Sequence, residues 1–182
     1  MAKNPGAPST HGVNTRLAHA GYDPMDYHGF VNPPVVHAST VLFPDAASMR
    51  AGSQKYTYGT HGTTTTDALC AAIDELEGSA ATILLPSGLA AVTVPLLAFL
   101  EAGDHALIVD SVYFPTRRFA NGMLRKLGVS VDYYDPAIGA GISALMKPET
   151  KVVFTESPGS NTFEMQDIPA IAKAAHERGV IV

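Results

Sequence analysis

Cysteine is nearly absent: Cys70 is the only one in 182 residues, so no internal disulfide can staple the fold. Its place in DALCAAIDELE reads as a buried helix position. Charge is sparse too, at 16% of residues, with twelve basic against seventeen acidic side chains and a net charge of −5. No basic block exceeds Arg117-Arg118, and this excludes the electrostatic footprint of a nucleic-acid or anionic-membrane binder. Long apolar runs are also missing. The longest, around Leu89 to Leu100, is interrupted by Thr93 and Pro95 and ends at Glu101, and the opening MAKNPGAPSTHGVN lacks the apolar centre of a secretion signal. A cytoplasmic protein with no membrane partner is expected.

Several chemical signatures are missing as well. No G-x-G-x-x-G follows a strand pattern and no G-x-x-x-x-G-K-[ST] occurs, so dinucleotide and P-loop chemistry lack their glycines. The seven histidines form no H-E-x-x-H, and one cysteine builds no thiolate cluster; no metal site is expected. Ser157 and Ser160 in ESPGSNT sit in no G-x-S-x-G elbow. That loop remains able to bind a polar group of a substrate.

Apolar residues, by contrast, make up 46% of the chain, enough for a sizeable core. Residues 1–50 are rich in Pro, Gly and His without a long periodic run, and read as an extended arm with a short regular segment near Val35 to Phe43. Helical spacing then begins: Leu69, Ala72, Ile73 and Leu76 follow a cap at Thr65 or Thr66, and Gly78 suits the helix end. Beyond it, apolar runs and helical patterns alternate. ATILL (81–85), HALIV (105–109), VSVDYY (129–134) and KVVFTE (151–156) read as strands. Helices are expected from Gly88 to about Glu101, from Pro115 to Leu127, near Ile142 to Met146, and after an Asp167 cap up to Gly179. Alternation of this kind defines an α/β fold with a mostly parallel sheet. Gly179 to Val182 begins one more apolar strand of three residues, which is either a short edge strand or the start of a longer one in a larger protein.

The sharpest local feature is LLPSGLAAV (84–92), a strand pattern, a Ser-Gly turn and a helix opening on small residues. Either the N–H groups of Gly88 and Leu89, the Ser87 hydroxyl and the helix dipole converge on an anion, most naturally a phosphate, or Ser87 is a plain helix cap. Tyr113 in DSVYFP follows a strand end and belongs on the same rim. It either stacks on a planar ring or packs on the rim with its hydroxyl in water. Tyr56, Tyr58, Thr60 and His61 in KYTYGTHGTTTT read as turn and cap chemistry before the Thr65 helix.

The motifs NTRLAHAGYDP, GFVNPPVVHASTVLF, YGTHGTTT with LEG, LLPSGLAAV, LLAFLEAGDHALIVDSVY, GVSVDYYDPAIGA and KVVFTESPGSNTFEMQDIPAIA occur in order from Asn14 to Val182. In that order they resemble the Cys/Met-metabolism family of pyridoxal-phosphate enzymes. YGTHGT, DPAIGA and ESPGSNT resemble its β-lyase branch, which eliminates across the Cα–Cβ bond of cystathionine to give homocysteine, pyruvate and ammonia. Other branches run γ-elimination, γ-replacement or acylhomoserine sulfhydrylation. A noncatalytic module binding a phosphorylated ligand is a reading from another class.

The resemblance implies a type-I pyridoxal-phosphate fold, with residues 1–50 as an N-terminal arm and 51–182 as an incomplete large cofactor domain. Pyridoxal 5′-phosphate would be the cofactor. Its phosphate would be held by Ser87, Gly88 and Leu89, its ring covered by Tyr113, and Tyr58 would reach the phosphate from a neighbouring subunit of a homotetramer. Ser160 would face the sulfur amino acid. Where many members carry an arginine two residues after that tyrosine, this chain has Thr60, with His61 beside it. The family's Schiff-base lysine and the aspartate that partners the pyridine nitrogen would lie beyond Val182. None of Lys3, Lys55, Lys126, Lys147, Lys151 and Lys173 matches the lysine's surroundings, so the segment by itself is expected to be inactive.

Overall fold

A computed structural model describes residues 10–182. The chain divides into two compact units, Met1–Leu84 and Leu85–Val182. In the first, α1 (Val13–Ala18), a 3-10 turn (Pro24–Tyr27) and α2 (Ala46–Ala51) precede one long helix, α3 (Thr64–Glu77). Over residues 10–50 the stretch expected to be extended thus carries short helical turns; its first nine residues lie outside the described ones. Asp23 and Asp45 start two of them, their carboxylates accepting from the N–H groups of Met25 and Ser48. Between these turns, the regular segment expected near Val35 to Phe43 reduces to one antiparallel bridge, Thr40 with Tyr58.

The cap of α3 falls at Thr63, two residues before the first of the two cap residues expected. Thr63 and Thr66 form a reciprocal capping box: the Thr63 hydroxyl accepts from the Thr66 N–H, and the Thr66 hydroxyl from the Thr63 N–H at 2.8 Å. Thr65 serves elsewhere. Its hydroxyl donates to the Pro34 carbonyl at 2.7 Å and accepts from the Val36 N–H at 2.8 Å, which ties the irregular segment to the helix. Gly78 ends α3 at φ 65°, as its position suggested. Gly21 lies so close to α3 that a Cβ there would come within 2.6 Å of the Ala71 Cβ. Cys70 is partly exposed rather than buried; Ala68 is the buried position of α3.

The second unit runs α4 (Gly88–Phe99), β1 (His105–Val109), α5 (Phe114–Phe119), a π-helical turn (Ala120–Leu124), β2 (Ser130–Tyr134), a 3-10 turn (Gly139–Leu145), β3 (Thr150–Phe154) and α6 (Ile168–His176). The three strands form one parallel sheet in the order β2-β1-β3. All five residues of the central strand are buried, as expected for a strand covered on both faces. Around it gather Leu96, Leu124, Val131, Ile142, Val153, Ile171 and Ala175. Asp167 caps α6, its carboxylate accepting from the Ala170 N–H at 3.0 Å. Because the strands are parallel, the loops after Val109, Tyr134 and Phe154 leave the sheet at one end, where α/β sheets place their ligands.

Four expectations change here. ATILL forms no strand: a strand exists only by pairing, and among the described residues none pairs with it; Ile83 is exposed, and Thr82 is instead bonded to Asp74 at 2.6 Å. The helix expected over 115–127 widens into the π turn at Ala120–Leu124. The short helix near Ile142 is 3-10, not α. At Ile181 the chain makes a single parallel bridge to Val152, with the Val153 N–H bonded to the Ile181 carbonyl at 2.8 Å. Among the described residues no helix is long and apolar enough to cross a membrane.

The opposite end of the sheet holds a buried polar contact. His105 is fully buried, its Nδ1 is 2.8 Å from Thr150 Oγ1, and its Nε2 is 3.2 Å from Asp132 Oδ2, which also binds Lys147 Nζ at 2.5 Å. Burial, reinforced by Lys147, pushes the imidazole pKa down. A histidine whose folded pKa lies below its unfolded value near 6.5 contributes stability that is complete above about pH 6.5 and is lost as pH falls through the folded value. Urea unfolding between pH 7.5 and 5 is therefore expected to weaken on the acid side. In His105→Gln that part of the slope should flatten; an unchanged slope would assign the acid sensitivity to other groups.

Candidate functional site

α4 opens at Ser87, whose extended backbone (φ −160°, ψ 158°) turns the chain into the helix. The Ser87 hydroxyl accepts from the Ala90 N–H at 3.1 Å and the Ser87 carbonyl from the Ala91 N–H at 3.0 Å. That leaves the N–H groups of Gly88 and Leu89, which have no acceptor within the helix. Apart from its chain neighbours and the helix's own backbone, no heavy atom lies within 4 Å of where a Gly88 Cβ would stand, so a ligand can approach the backbone there. Two free donors, a hydroxyl and the positive end of a 12-residue helix make an anion cradle. The Leu89 side chain turns into an apolar groove with Phe114 and Phe119, which brings the first turns of α4 and α5 together.

Tyr113 stands at the start of α5, half exposed, with φ −48° and ψ 128°. It lies four residues past the end of β1, on the ligand-bearing rim. Ser160 shares that rim: its N–H donates to the Ser111 carbonyl at 2.8 Å. Ser87, Gly88, Leu89, Tyr113 and Ser160 all belong to the second unit, and Tyr58 belongs to the first. Tyr58 is 41% exposed, its hydroxyl accepts from Ser39 Oγ at 3.4 Å, and His61 meets its ring edge-on with centroids 5.6 Å apart. His61 thus accompanies the tyrosine where Thr60 offers no charge.

Arg118 lines the groove beside Leu89, while Arg117 is already paired. Arg117 donates to the Asp110 carboxylate at 2.5 Å and its carbonyl at 2.6 Å, and its guanidinium lies 3.9 Å over the Tyr133 ring. An anion at Ser87 would be met by N–H groups and the helix dipole rather than by this arginine. Residues not singled out from sequence complete the rim: Glu156 accepts from the Tyr113 N–H at 3.1 Å, and Gln166 and the buried Tyr134 support it from behind. Burial drives the Tyr134 hydroxyl pKa up, so it stays a neutral donor. Among the described residues, no group of three or more His, Cys, Asp or Glu side chains is arranged to hold a metal.

An open helix N-terminus and an exposed aromatic stand at the carboxyl end of a parallel sheet, an arrangement that suits a phosphorylated planar ligand. The chain belongs to the Cys/Met metabolism PLP-dependent enzyme family, whose description matches residues 14–182. It is 70% identical over 171 residues to the Rhizobium johnstonii protein named "Putative cystathionine beta-lyase", covering 94% of this chain and 43% of that protein. It is 42% identical over 168 residues to cystathionine beta-lyase MetC of Escherichia coli, covering 89% and 42%. The crystal structure of cystathionine gamma-lyase from Lactobacillus plantarum complexed with L-serine superposes with a TM-score of 0.84 at 28% identity, covering 94% of this chain and 44% of that one. The chain therefore spans less than half the length of these relatives. Pyridoxal phosphate is the family's cofactor, and the open backbone over Gly88 with the unbonded N–H pair beside Ser87 suits its phosphate.

Proposed function

We propose that this chain supplies the phosphate- and ring-binding half of a pyridoxal-phosphate-dependent β-lyase acting on cystathionine. The capped, open N-terminus of α4 is the observation that carries it. Ser87, Gly88 and Leu89 bind the phosphate, and Tyr113 lies against the ring. Tyr58 serves the phosphate of a neighbouring subunit in a homotetramer, and Ser160 faces the amino-acid substrate. Bound pyridoxal phosphate supplies the electron sink that lets a Cα proton and a Cβ sulfur depart. This chain's own residues bind and orient; they move no proton. The cofactor-bearing lysine of this reading lies outside Met1–Val182. Lys147 is held by Asp132 beside His105, away from the rim, and Lys55 is paired with Asp67. Inactivity of the chain alone and a cytoplasmic location are parts of the same proposal.

The reaction consumes cystathionine and water and yields homocysteine, pyruvate and ammonia. Full-length protein carrying this chain, incubated with cystathionine, is expected to form pyruvate and homocysteine in equal amounts. Formation of 2-oxobutyrate with cysteine would overturn the β-lyase reading in favour of γ-elimination, the second reading, which the likeness to the Lactobacillus plantarum γ-lyase favours.

A further inference from the structure

Tyr113 begins α5 with no side-chain cap; its backbone is instead gripped from 43 residues away. β3 ends at Phe154, and two residues later Glu156 places its carboxylate 3.1 Å from the Tyr113 nitrogen, accepting the N–H. Glu156 is itself anchored. The Gln166 side-chain amide donates to the Glu156 carbonyl at 2.7 Å, and the hydroxyl of Tyr134, at the buried end of β2, donates to Gln166 Oε1 at 2.9 Å. The same two loops meet again at Gly159, where a Cβ would come within 2.5 Å of Ser111 Oγ and 2.7 Å of Ser111 Cβ. A continuous chain therefore runs Tyr134, Gln166, Glu156, Tyr113, from the sheet core to the exposed ring. Fixing an N–H at a residue with defined φ and ψ fixes the direction of its Cα–Cβ bond, and so confines the ring to the few positions its side-chain rotamers reach from there.

We infer that Glu156 is a positioning residue that sets the Tyr113 ring against the planar ring of the bound ligand. The inference rests on the reading of Tyr113 in the proposed function. It differs from a purely structural role because the effect on ligand must pass through the Tyr113 ring and vanish when that ring is absent.

Pyridoxine 5′-phosphate is the probe, since it keeps ring and phosphate and has no aldehyde to react with lysines. Its affinity for the full-length protein carrying this chain, freed of cofactor, is measured in wild type, Glu156→Met, Glu156→Gln, Tyr113→Ala and the double variant Glu156→Met/Tyr113→Ala, alongside hydrogen exchange of the Tyr113 amide. Glu156→Met keeps the bulk but offers no oxygen. It is expected to speed exchange of that amide about tenfold and to weaken binding about threefold to tenfold, the range of an aromatic stacking contact. Glu156→Gln restores both through its carbonyl. In the Tyr113→Ala background Glu156→Met has no further effect on affinity.

Equal losses in both backgrounds would overturn the inference. So would faster amide exchange with unchanged affinity while Tyr113→Ala still weakens binding; the stacking role would then stand and Glu156 would be structural only. Tyr113→Ala without effect, or no saturable binding by wild type, would strike the ligand reading of the site and this role with it. Should Glu156→Met fail to fold, Glu156→Asp is read in the same cycle, since it keeps the charge and falls short of the amide by one methylene.

Discussion

Gly59→Ala is expected to destabilise the Met1–Leu84 unit by about 3 kcal/mol, the upper part of the range for forcing atoms into a filled space. Gly59 sits directly on the peptide of Ala38: a Cβ would overlap the Ala38 carbonyl oxygen and crowd its carbonyl carbon and the Ser39 nitrogen. These are backbone atoms and cannot rotate away. The Gly59 N–H also donates to the Ser39 carbonyl at 2.6 Å, and the neighbouring Tyr58 bridges Thr40. The added methyl therefore separates the two segments and releases Tyr58 with them. Hydrogen exchange should show loss of protection at position 59 and at the Thr40–Tyr58 bridge, with β1 amides unaffected. Gly88→Ala is the control: apart from its chain neighbours and the helix's own backbone, nothing stands within 4 Å of its Cβ position, so folding should change by less than about 0.5 kcal/mol. Similar, small effects of the two substitutions would mean that the Ala38 contact yields.

The contrast between these glycines marks the limit of what sequence can tell. YGTHGT and LLPSGLAAV both read as glycine turns, yet one glycine is required by a contact 21 residues away and the other by the need to leave a helix end open. Periodicity and caps located the alternation of strands and helices, the strand HALIV, the Asp167 cap and the Gly78 helix end, because each depends on residues close in the chain. Where the outcome depended on distant partners, the reading failed. ATILL has the composition of a strand and no strand to pair with. Among four consecutive threonines any could cap α3, and the choice fell to Thr63 because Thr65 is bonded to Pro34 and Val36. The 115–127 helix has the right apolar spacing for an α-helix, and spacing alone does not register the extra residue of a π turn.

The site divides along the same line. Ser87, Gly88 and Leu89 were legible because a cap, a glycine and a helix start are local. Tyr113 was legible as the residue after a strand end. Glu156 was not, although it stands in the same ESPGSNT stretch as Ser160: its role appears only when the β3 loop is set beside the β1 loop. Tyr134, at the end of β2, and Gln166, in the loop between β3 and α6, likewise join the candidate site only through the parallel order β2-β1-β3, which puts the loops after these strands on one rim.

Ser87→Asp separates the two roles left open for this residue, a plain helix cap and a phosphate ligand. Aspartate caps helices about as well as serine, and its charge favours a helix N-terminus by about 0.3 to 1 kcal/mol. Stability toward urea should therefore hold or rise slightly. Binding should behave in the opposite way. The substitution removes a hydroxyl donor, worth about 1.5 to 3 kcal/mol toward a charged acceptor, and sets a carboxylate where a phosphate oxygen would be its neighbour, at a separation on the order of 4 Å. Two like charges at that separation repel by about 4 kcal/mol at the effective dielectric of a protein surface. Even with part of this screened by salt, affinity for pyridoxine 5′-phosphate is expected to fall on the order of a hundredfold or more. Ser87→Asn, an uncharged cap, should lose about tenfold or less, and raising ionic strength should narrow the gap between the two variants. If Ser87→Asp binds the phosphate compound as well as wild type does, Ser87 only caps α4 and the phosphate lies elsewhere.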